Sequence, residues 1–136
     1  MKLVINKCYG GFGLSLLALQ RYCELIGKEA HFYRQEWGSA LAEKVDVNER
    51  RAFVYCVHHD YGDTVDINAI PSDAYFNEYA IPRNDPILVQ VVEELGVKAN
   101  GSCSELKIIE IPDDVEWQIE EYDGLEWIAE KHRTWE

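Results

Sequence analysis

The opening of the chain places three glycines within four positions, between a short apolar run and a segment of helical spacing. The apolar residues 3–5 are typical of a β-strand, and Ser15 is a favourable N-cap for the helix that follows. Gly10, Gly11 and Gly13 permit a sharp reversal of the chain and leave backbone N–H groups open to a ligand. The loop is therefore either a tight turn that glycine simply permits, or an anion-binding site at a helix N-terminus.

We expect the loop to hold a phosphate-bearing small molecule, of which a nucleotide is the typical case. The spacing of the glycines matches neither the dinucleotide-binding fingerprint nor the Walker loop, and no cofactor is predicted. Basic side chains would contact the phosphate, aromatic rings would stack on the base, and polar side chains would add hydrogen bonds. The predicted site consists of Lys7, Arg34, Arg83 and Arg133 for the phosphate, Tyr9, Phe12 and Trp135 for the base, His132 of the basic tail, and Asn6, Gly10, Gly11, Gly13 and Ser15.

The net charge of the chain is −12, from 25 acidic residues against 13 lysines and arginines. Such a chain repels nucleic acid and anionic membranes, so neither is an expected partner. The charge would attract a basic protein, or it serves solubility alone. A chain of this charge that binds an anion has to gather its cations at one place. Lys7 and the basic C-terminal tail are the clusters for that role, with Arg34 and Arg83 as outliers.

Length and cysteine spacing indicate one domain, residues 1–136, in a reducing compartment. No apolar run approaches the roughly 18 residues of a membrane span, and no secretory signal is recognised at the start. The four cysteines include no Cys-x-x-Cys pair, which favours free thiols in a cytosol over disulfides or a zinc site.

The pattern of elements predicts two main helices and a mixed β-sheet, which places the chain in the α/β or α+β class. One helix covers residues 16–26 and ends at Gly27, and it would connect two parallel strands. The second helix has Asp85 as its N-cap and ends at Gly96. The other predicted elements are strands at residues 30–37, 52–57, 75–81 and 104–111, with 52–57 at the centre of the sheet, and a helical turn at residues 40–44.

Residues 115–130 predict a C-terminal β-hairpin, with a terminal helix as the alternative. We expect a three-residue loop, residues 122–124, with Gly124 in the left-handed conformation. This register collects the apolar side chains on one face and avoids pairing Glu121 with Glu126. The outer face would then carry Glu116, Gln118 and Glu120 opposite Glu126, Ile128 and Glu130.

His58, His59 and Asp60 follow the predicted strand 52–57. Adjacent strand residues point to opposite faces, so the cluster favours a polar turn over a metal site. A general base at His58 or His132, beside a carboxylate, would make the chain a small hydrolase, although no spacing specifies that geometry.

Both ends of the chain resemble small proteins of tailed bacteriophages and prophages. The similarity is carried by Val-Ile-Asn-Lys-Cys-Tyr-Gly-Gly-Phe-Gly-Leu-Ser at residues 4–15 and by most of the chain after Ile81. That second part begins with Ile-Pro-Arg-Asn-Asp-Pro and includes Glu-Glu-Tyr-Asp-Gly-Leu-Glu-Trp-Ile-Ala-Glu-Lys-His-Arg-Thr-Trp at residues 120–135. The resemblance implies a phage origin and a setting in the host cytoplasm, and it carries over no activity and no catalytic residues.

The favoured hypothesis is a phage protein that sequesters a nucleotide-type signal of host immunity, an anti-defence role that needs binding and no chemistry. In this hypothesis the tail closes over the ligand, and the sequence leaves open whether it does so in its own protomer or across a homo-oligomer. The alternative is an acidic inhibitor whose hairpin face occupies the nucleic-acid site of a basic host enzyme. The hydrolase ranks third.

Overall fold

The structure is a computed structural model that describes residues 1–131 and has an α+β fold. Two main helices, β-sheets and a C-terminal hairpin confirm the predicted class. Within the described residues, neither helix is long and apolar enough to cross a membrane. The strands are β1 Lys2–Asn6, β2 His31–Gln35, β3 Leu41–Val45, β4 Val54–Val57, β5 Thr64–Asp66, β6 Leu106–Glu110, β7 Trp117–Tyr122 and β8 Leu125–Glu130, and the helices are α1 Leu16–Ile26 and α2 Pro86–Leu95.

The main core lies between the two helices and the strand pair formed by β1 and β6. These strands pair antiparallel over their full lengths. Helix α1 packs against α2, and α2 packs against both strands. The helices bury the apolar stripes that their spacing predicts, including Leu19 of α1 and Leu88 of α2, which are almost fully buried.

Helix α1 begins and ends where the sequence predicts. The side chain of Ser15 accepts a hydrogen bond from the backbone N–H of Ala18 and so caps the first turn. Gly27 ends the helix in the left-handed conformation, with φ of 74°.

Helix α2 also has its predicted cap. Asp85 accepts the N–H of Ile87 at 3.4 Å and the hydroxyl of Tyr22 at 2.6 Å, so the cap ties α2 to α1. Burial, together with the hydrogen bond to the Asp85 carboxylate, raises the pKa of Tyr22.

The second half of the fold is a four-stranded sheet in the order β4-β2-β3-β5, and all its neighbours are antiparallel. The predicted parallel pairing across α1 is therefore wrong, because the chain after α1 starts a separate sheet. The predicted helical turn at residues 40–44 is also wrong, since this segment is β3. Its Ala42 is buried between the exposed Leu41 and Glu43, which is the alternation of a strand.

Strand β4 lies at the edge of this sheet and not at its centre. Residues 74–76 cover that edge, because the N–H of His58 donates to Ala74 and the N–H of Phe76 donates to Cys56, each at 2.9 Å. This cover explains why an edge strand is so apolar. The predicted strand at residues 75–81 is wrong, since its second part forms the 3-10 helix Glu78–Ala80.

The C-terminal hairpin is present, so the alternative of a terminal helix is wrong, but the predicted loop length is wrong as well. Tyr122 pairs with Leu125, and the loop is the two-residue turn Asp123-Gly124, with φ of 50° and 89°. Glu121 therefore lies opposite Glu126. The two carboxylates have separate partners: Glu121 accepts the N–H of Gly124, and Glu126 turns into the protein.

The predicted ladder of facing carboxylates is not formed in this register. Glu120 lies opposite Trp127, and the indole Nε1 donates to its carboxylate at 3.0 Å. Ile119 lies opposite Ile128 on the other face of the hairpin. The acidic side chains are thus divided between the two faces.

Candidate functional site

Two buried glutamates hold the ends of the glycine loop, residues 7–13. The carboxylate of Glu126 accepts the backbone N–H of Asn6 at 2.8 Å, just before the loop. The carboxylate of Glu78 accepts the N–H of Leu14 at 2.9 Å, just after it. Glu78 is 4% exposed and Glu126 is 7% exposed, so both residues are buried. The loop is therefore anchored at both ends by groups distant in sequence.

Each of these glutamates is neutralised by an arginine. Arg83 donates to both carboxylate oxygens of Glu126, at 2.6 and 2.8 Å, and to the carbonyl of Val4. Arg51 donates to Glu78 at 2.5 Å and to the carbonyl of Leu14 at 3.3 Å. Because each buried charge has a hydrogen-bonded partner, the two pairs fix the backbone on both sides of the loop.

Asn6 serves the backbone and not a ligand. Its amide nitrogen donates to the carbonyls of Cys8 and Gly124, and its oxygen accepts the N–H groups of Cys8 and Glu105. The side chain is fully buried, and these contacts use its hydrogen-bonding capacity. Ser15 is likewise occupied, since its hydroxyl caps α1 and donates to the carbonyl of Lys98.

Close packing between chain segments explains part of the glycine content. A Cβ atom on Gly124 would lie 2.2 Å from the backbone nitrogen of Gly11, so the hairpin turn rests directly on the loop. The N–H of Gly10 donates to the carbonyl of Asp123 at 3.0 Å. Gly10 and Gly11 have φ of 117° and 104°, which side chains rarely adopt. The tight-turn interpretation therefore holds for Gly10 and Gly11.

The other side of the glycine loop faces a groove of about 480 Å³, which we name the loop groove. Four of the predicted residues line it: Gly10, Gly11, Phe12 and Gly13. A Cβ atom on Gly13 would have no atom within 4 Å, so this glycine leaves open space beside the backbone. The N–H groups of Gly11, Phe12 and Gly13 donate to no acceptor within residues 1–131. The nitrogen of Gly11 faces the hairpin turn, so the N–H groups of Phe12 and Gly13 are the ones left for a ligand in the groove.

Arg51 and its partner Glu78 are charged residues of the loop groove that the sequence did not predict. The side chain of Arg51 is 26% exposed, and its guanidinium donates to Glu78, Leu14 and Val54. A guanidinium carries five N–H donors, so these contacts leave capacity for an acceptor on a ligand. No local pattern distinguishes Arg51 from the neighbouring Arg50, because its role depends on Glu78, which lies in a separate segment.

Three aromatic residues of the loop groove were also missed. Phe53 is 69% exposed, Tyr55 is 38% exposed and Tyr79 is 72% exposed. Phe53 has φ of 59°, a conformation that is unusual for a bulky side chain and is found preferentially at functional sites. Its position inside the apolar run predicted as strand 52–57 indicated a buried residue, so the sequence carries no direct signal of this exposure.

The structure does not bring the predicted cations together in the loop groove. Arg34 lies on β2 and pairs with Glu49 at 2.8 Å, and Arg83 is committed to Glu126. Lys7 is exposed, and its amine lies 3.5 Å from the carbonyl of Glu126. None of the three lines the groove. His132 and Arg133 lie outside the described residues.

The predicted stacking residues also differ in position. Phe12 is 7% exposed and lies beneath the guanidinium of Arg83, whose central carbon is 3.7 Å from the ring centroid. Its ring is therefore a core group and not a platform for a base. Tyr9 is exposed but does not line the loop groove, and Trp135 lies outside the described residues.

His58, His59 and Asp60, which follow β4, form a polar turn. The Nδ1 of His58 lies 3.0 Å from the backbone carbonyl of Glu29, so its contact is not with a carboxylate. Within residues 1–131, no group of three or more histidine, cysteine, aspartate or glutamate side chains is placed to hold a metal ion. Hydrogen bonds from Lys44 and from the N–H of Gly62 hold the pKa of Asp60 at about 2.

A larger groove, of about 830 Å³, lies between α2 and the start of β1. Its three acidic residues are already paired, Glu93 with Lys2, Glu94 with Arg21 and Asp113 with the N-terminal amine of Met1. Among residues 1–131, it holds none of the predicted site residues. We therefore take the loop groove, with its open N–H groups, its arginine and its aromatic rim, as the candidate site.

Comparison of this chain with family models, with curated proteins and with solved structures gave no match. The function is therefore inferred from the geometry of the loop groove and from the residues that line it.

Proposed function

We propose that this chain is a binding protein that holds a phosphate-bearing small molecule, of nucleotide type, in the loop groove. The observation that carries the proposal is the anchored glycine loop. Its N–H groups at Phe12 and Gly13 have no acceptor within the described chain, and both residues border a groove of about 480 Å³. Backbone N–H groups held in place before binding are an efficient way to bind an anionic oxygen, since they need no reorganisation.

Arg51 supplies the positive charge in this proposal. Its guanidinium has unused donors, and it is held in place by Glu78 and by the carbonyls of Leu14 and Val54. Glu78 cancels its formal charge, so the charged side chains that line the groove sum to zero among the described residues. The groove is therefore better suited to one phosphate group than to a chain of several.

The resemblance to phage proteins supplies the setting of the proposal. A phage product in the host cytoplasm that sequesters a nucleotide-type signal would block the defence system that the signal activates. Sequestration requires tight binding at a preformed site, and a loop anchored by two buried ion pairs meets that requirement.

Isothermal titration of the full chain with nucleoside monophosphates and with ribose phosphate tests the proposal. Gly13→Leu places a side chain in the open space of the groove, and its backbone requires no positive φ. We expect this variant to lose binding while keeping the unfolding midpoint of the parent. Ala69→Leu adds the same side chain at an exposed position outside the groove and should bind normally.

Two results would contradict the proposal. One is the absence of binding by the parent protein at millimolar concentrations of every compound in the panel. The other is equal binding by Gly13→Leu and the parent, which would place the ligand elsewhere. The acidic-inhibitor hypothesis required a ladder of facing carboxylates on the hairpin, which the observed register does not form. Its remaining support is the net charge of −12.

A further inference from the structure

A second concavity adjoins the loop groove and shares two of its aromatic residues. We name it the tryptophan pocket; it measures about 320 Å³ and is formed around the turn between β2 and β3. Phe53 and Tyr55 line both spaces, so their side chains separate the two. Trp37 lines only the tryptophan pocket. The two spaces are therefore adjacent, on either side of these two side chains, so that one ligand can place a group in each.

Trp37 is 94% exposed, which is unusual for the largest apolar side chain. Exposing this much aromatic surface to water is unfavourable, and a ring that covered it would bury apolar area on both sides. Phe53 adds a second exposed ring, held outside the core by its φ of 59°. Two exposed rings bordering one pocket are the arrangement that stacks on a planar group.

Polar groups fix one wall of the tryptophan pocket. The hydroxyl of Tyr55 donates to the side-chain oxygen of Gln35 at 2.9 Å, and the nitrogen of that amide donates to the carbonyl of Ser39 at 2.8 Å. These two bonds hold the Tyr55 ring in position. Glu36 also lines the pocket and is the one charged side chain that residues 1–131 contribute to it. A carboxylate accepts hydrogen bonds and repels phosphate, so the pocket suits an uncharged ring that carries N–H groups.

We propose that the tryptophan pocket is the base subsite of the ligand whose phosphate occupies the loop groove. The bound group is a nucleobase with an amino or imino N–H edge, stacked against Trp37 and Phe53 and facing the Glu36 carboxylate. This inference rests on the proposed function, because it places the base of the same nucleotide. It also assigns to Trp37 and Phe53 the stacking role that the sequence analysis gave to Tyr9, Phe12 and Trp135.

The test separates the two ends of the ligand by using a nucleoside, which has no phosphate, and ribose phosphate, which has no base. Binding of each compound and of the complete nucleotide is measured by calorimetry for the parent, Trp37→Ala and Gly13→Leu. Trp127→Ala is the matched control, since Trp127 is 41% exposed, lies on the hairpin and lines neither space.

We expect Trp37→Ala to weaken binding of the nucleoside and the nucleotide by about tenfold, in line with the loss of one base–aromatic stack. Its affinity for ribose phosphate should stay unchanged. Gly13→Leu should weaken ribose phosphate and the nucleotide and leave the nucleoside unaffected. Trp127→Ala should match the parent with all three compounds. Circular dichroism of each variant checks that the fold is retained.

The outcomes distinguish the two proposals. The base subsite is overturned if Trp37→Ala does not change nucleoside binding, or if Trp127→Ala weakens it equally. Neither result contradicts the phosphate site in the loop groove. Nucleoside binding that depends on Trp37, without any binding of ribose phosphate, supports the subsite and overturns the phosphate site. Failure of the parent to bind any of the three compounds overturns both.

Discussion

Arg83 and Glu126, 43 positions apart in the chain, form a bidentate ion pair with N–O distances of 2.6 and 2.8 Å. The pair joins the segment before α2 to strand β8, and the same carboxylate holds the N–H of Asn6. It therefore sets the position of the C-terminal hairpin against β1. It also explains how a glutamate at the second residue of β8 can point into the protein.

Replacing Glu126 by glutamine should destabilise the protein by about 3 kcal/mol. The change leaves the Arg83 guanidinium largely buried without its counter-charge, and breaking a buried pair in this way is costly. Urea unfolding of both proteins at neutral pH, followed by tryptophan fluorescence, measures the difference.

Glu130→Gln is the control for this substitution, because Glu130 is an exposed residue of the same strand. It should change the free energy of unfolding by less than about 0.5 kcal/mol. A loss of stability in Glu126→Gln no larger than in Glu130→Gln would show that the pair contributes nothing to the docking of the hairpin.

Gly124→Ala should be more destabilising than Gly62→Ala. Both glycines have φ near 90°, at 89° and 86°, so both alanines carry the same backbone strain of about 1 kcal/mol. At Gly62 a Cβ would meet nothing within 4 Å, whereas at Gly124 it would lie 2.2 Å from the nitrogen of Gly11. The difference between the two unfolding free energies therefore isolates the contact between hairpin and loop. Equal values would mean that the turn can move away from the loop without cost.

Asp85→Ala should cost between about 1 and 2 kcal/mol. The lower figure is the usual value of an N-cap, and the excess reflects the loss of the acceptor for the partly buried Tyr22 hydroxyl. Asp85→Asn keeps a cap oxygen and should lose less. Thermal and urea unfolding of the two variants make the comparison, and an Asn variant as unstable as the Ala variant would exclude the cap as the cause.

Lys44→Met should raise the pKa of Asp60 from about 2 towards 3.8, since the hydrogen bond from Lys44 is the main cause of the low value. A carboxyl whose folded pKa is depressed stabilises the fold above its unfolded pKa. Asp60 therefore contributes at pH above about 4, and this contribution is lost as the pH falls towards 2. The pair is half exposed, so the effect on stability is small. Carboxyl chemical shifts measured by NMR during an acid titration report the pKa directly.

Local chemistry was sufficient to predict the two helices and their ends. Ser15, Gly27, Asp85 and Gly96 act on neighbouring backbone groups, so their roles are visible in a single stretch of sequence. The strand of the opening segment and the presence of the hairpin depend on equally local patterns. The fold class followed from these elements.

The strand register and the sheet order could not be obtained in the same way, because they depend on distant partners. The pattern of β8 gives no sign that Glu126 is neutralised by Arg83, and without that pair its burial is unfavourable. Strand β4 was taken for a central strand because the segment at residues 74–76, which covers its edge, is remote in the chain.

In the candidate site, too, the features that depend on local sequence were predictable and those that depend on distant partners were not. The glycine loop and the groove beside it follow from Gly10, Gly11 and Gly13, which interrupt the chain between a strand and a helix. Arg51 is held at the groove by Glu78, which is distant in sequence. Phe53 is exposed in a backbone conformation that the sequence pattern does not predict. Side chains that depend on long-range contacts are therefore the ones that sequence analysis missed.

The contact between the hairpin turn and the glycine loop has a consequence for protein synthesis. Asn6 and Gly124 are joined by a hydrogen bond across 118 positions, so the loop reaches its final form only after the hairpin has left the ribosome. A nascent chain in which α1 and α2 have already folded still lacks this hydrogen bond. Prematurely terminated products therefore lack the hydrogen bond between Asn6 and Gly124 and the final form of the glycine loop.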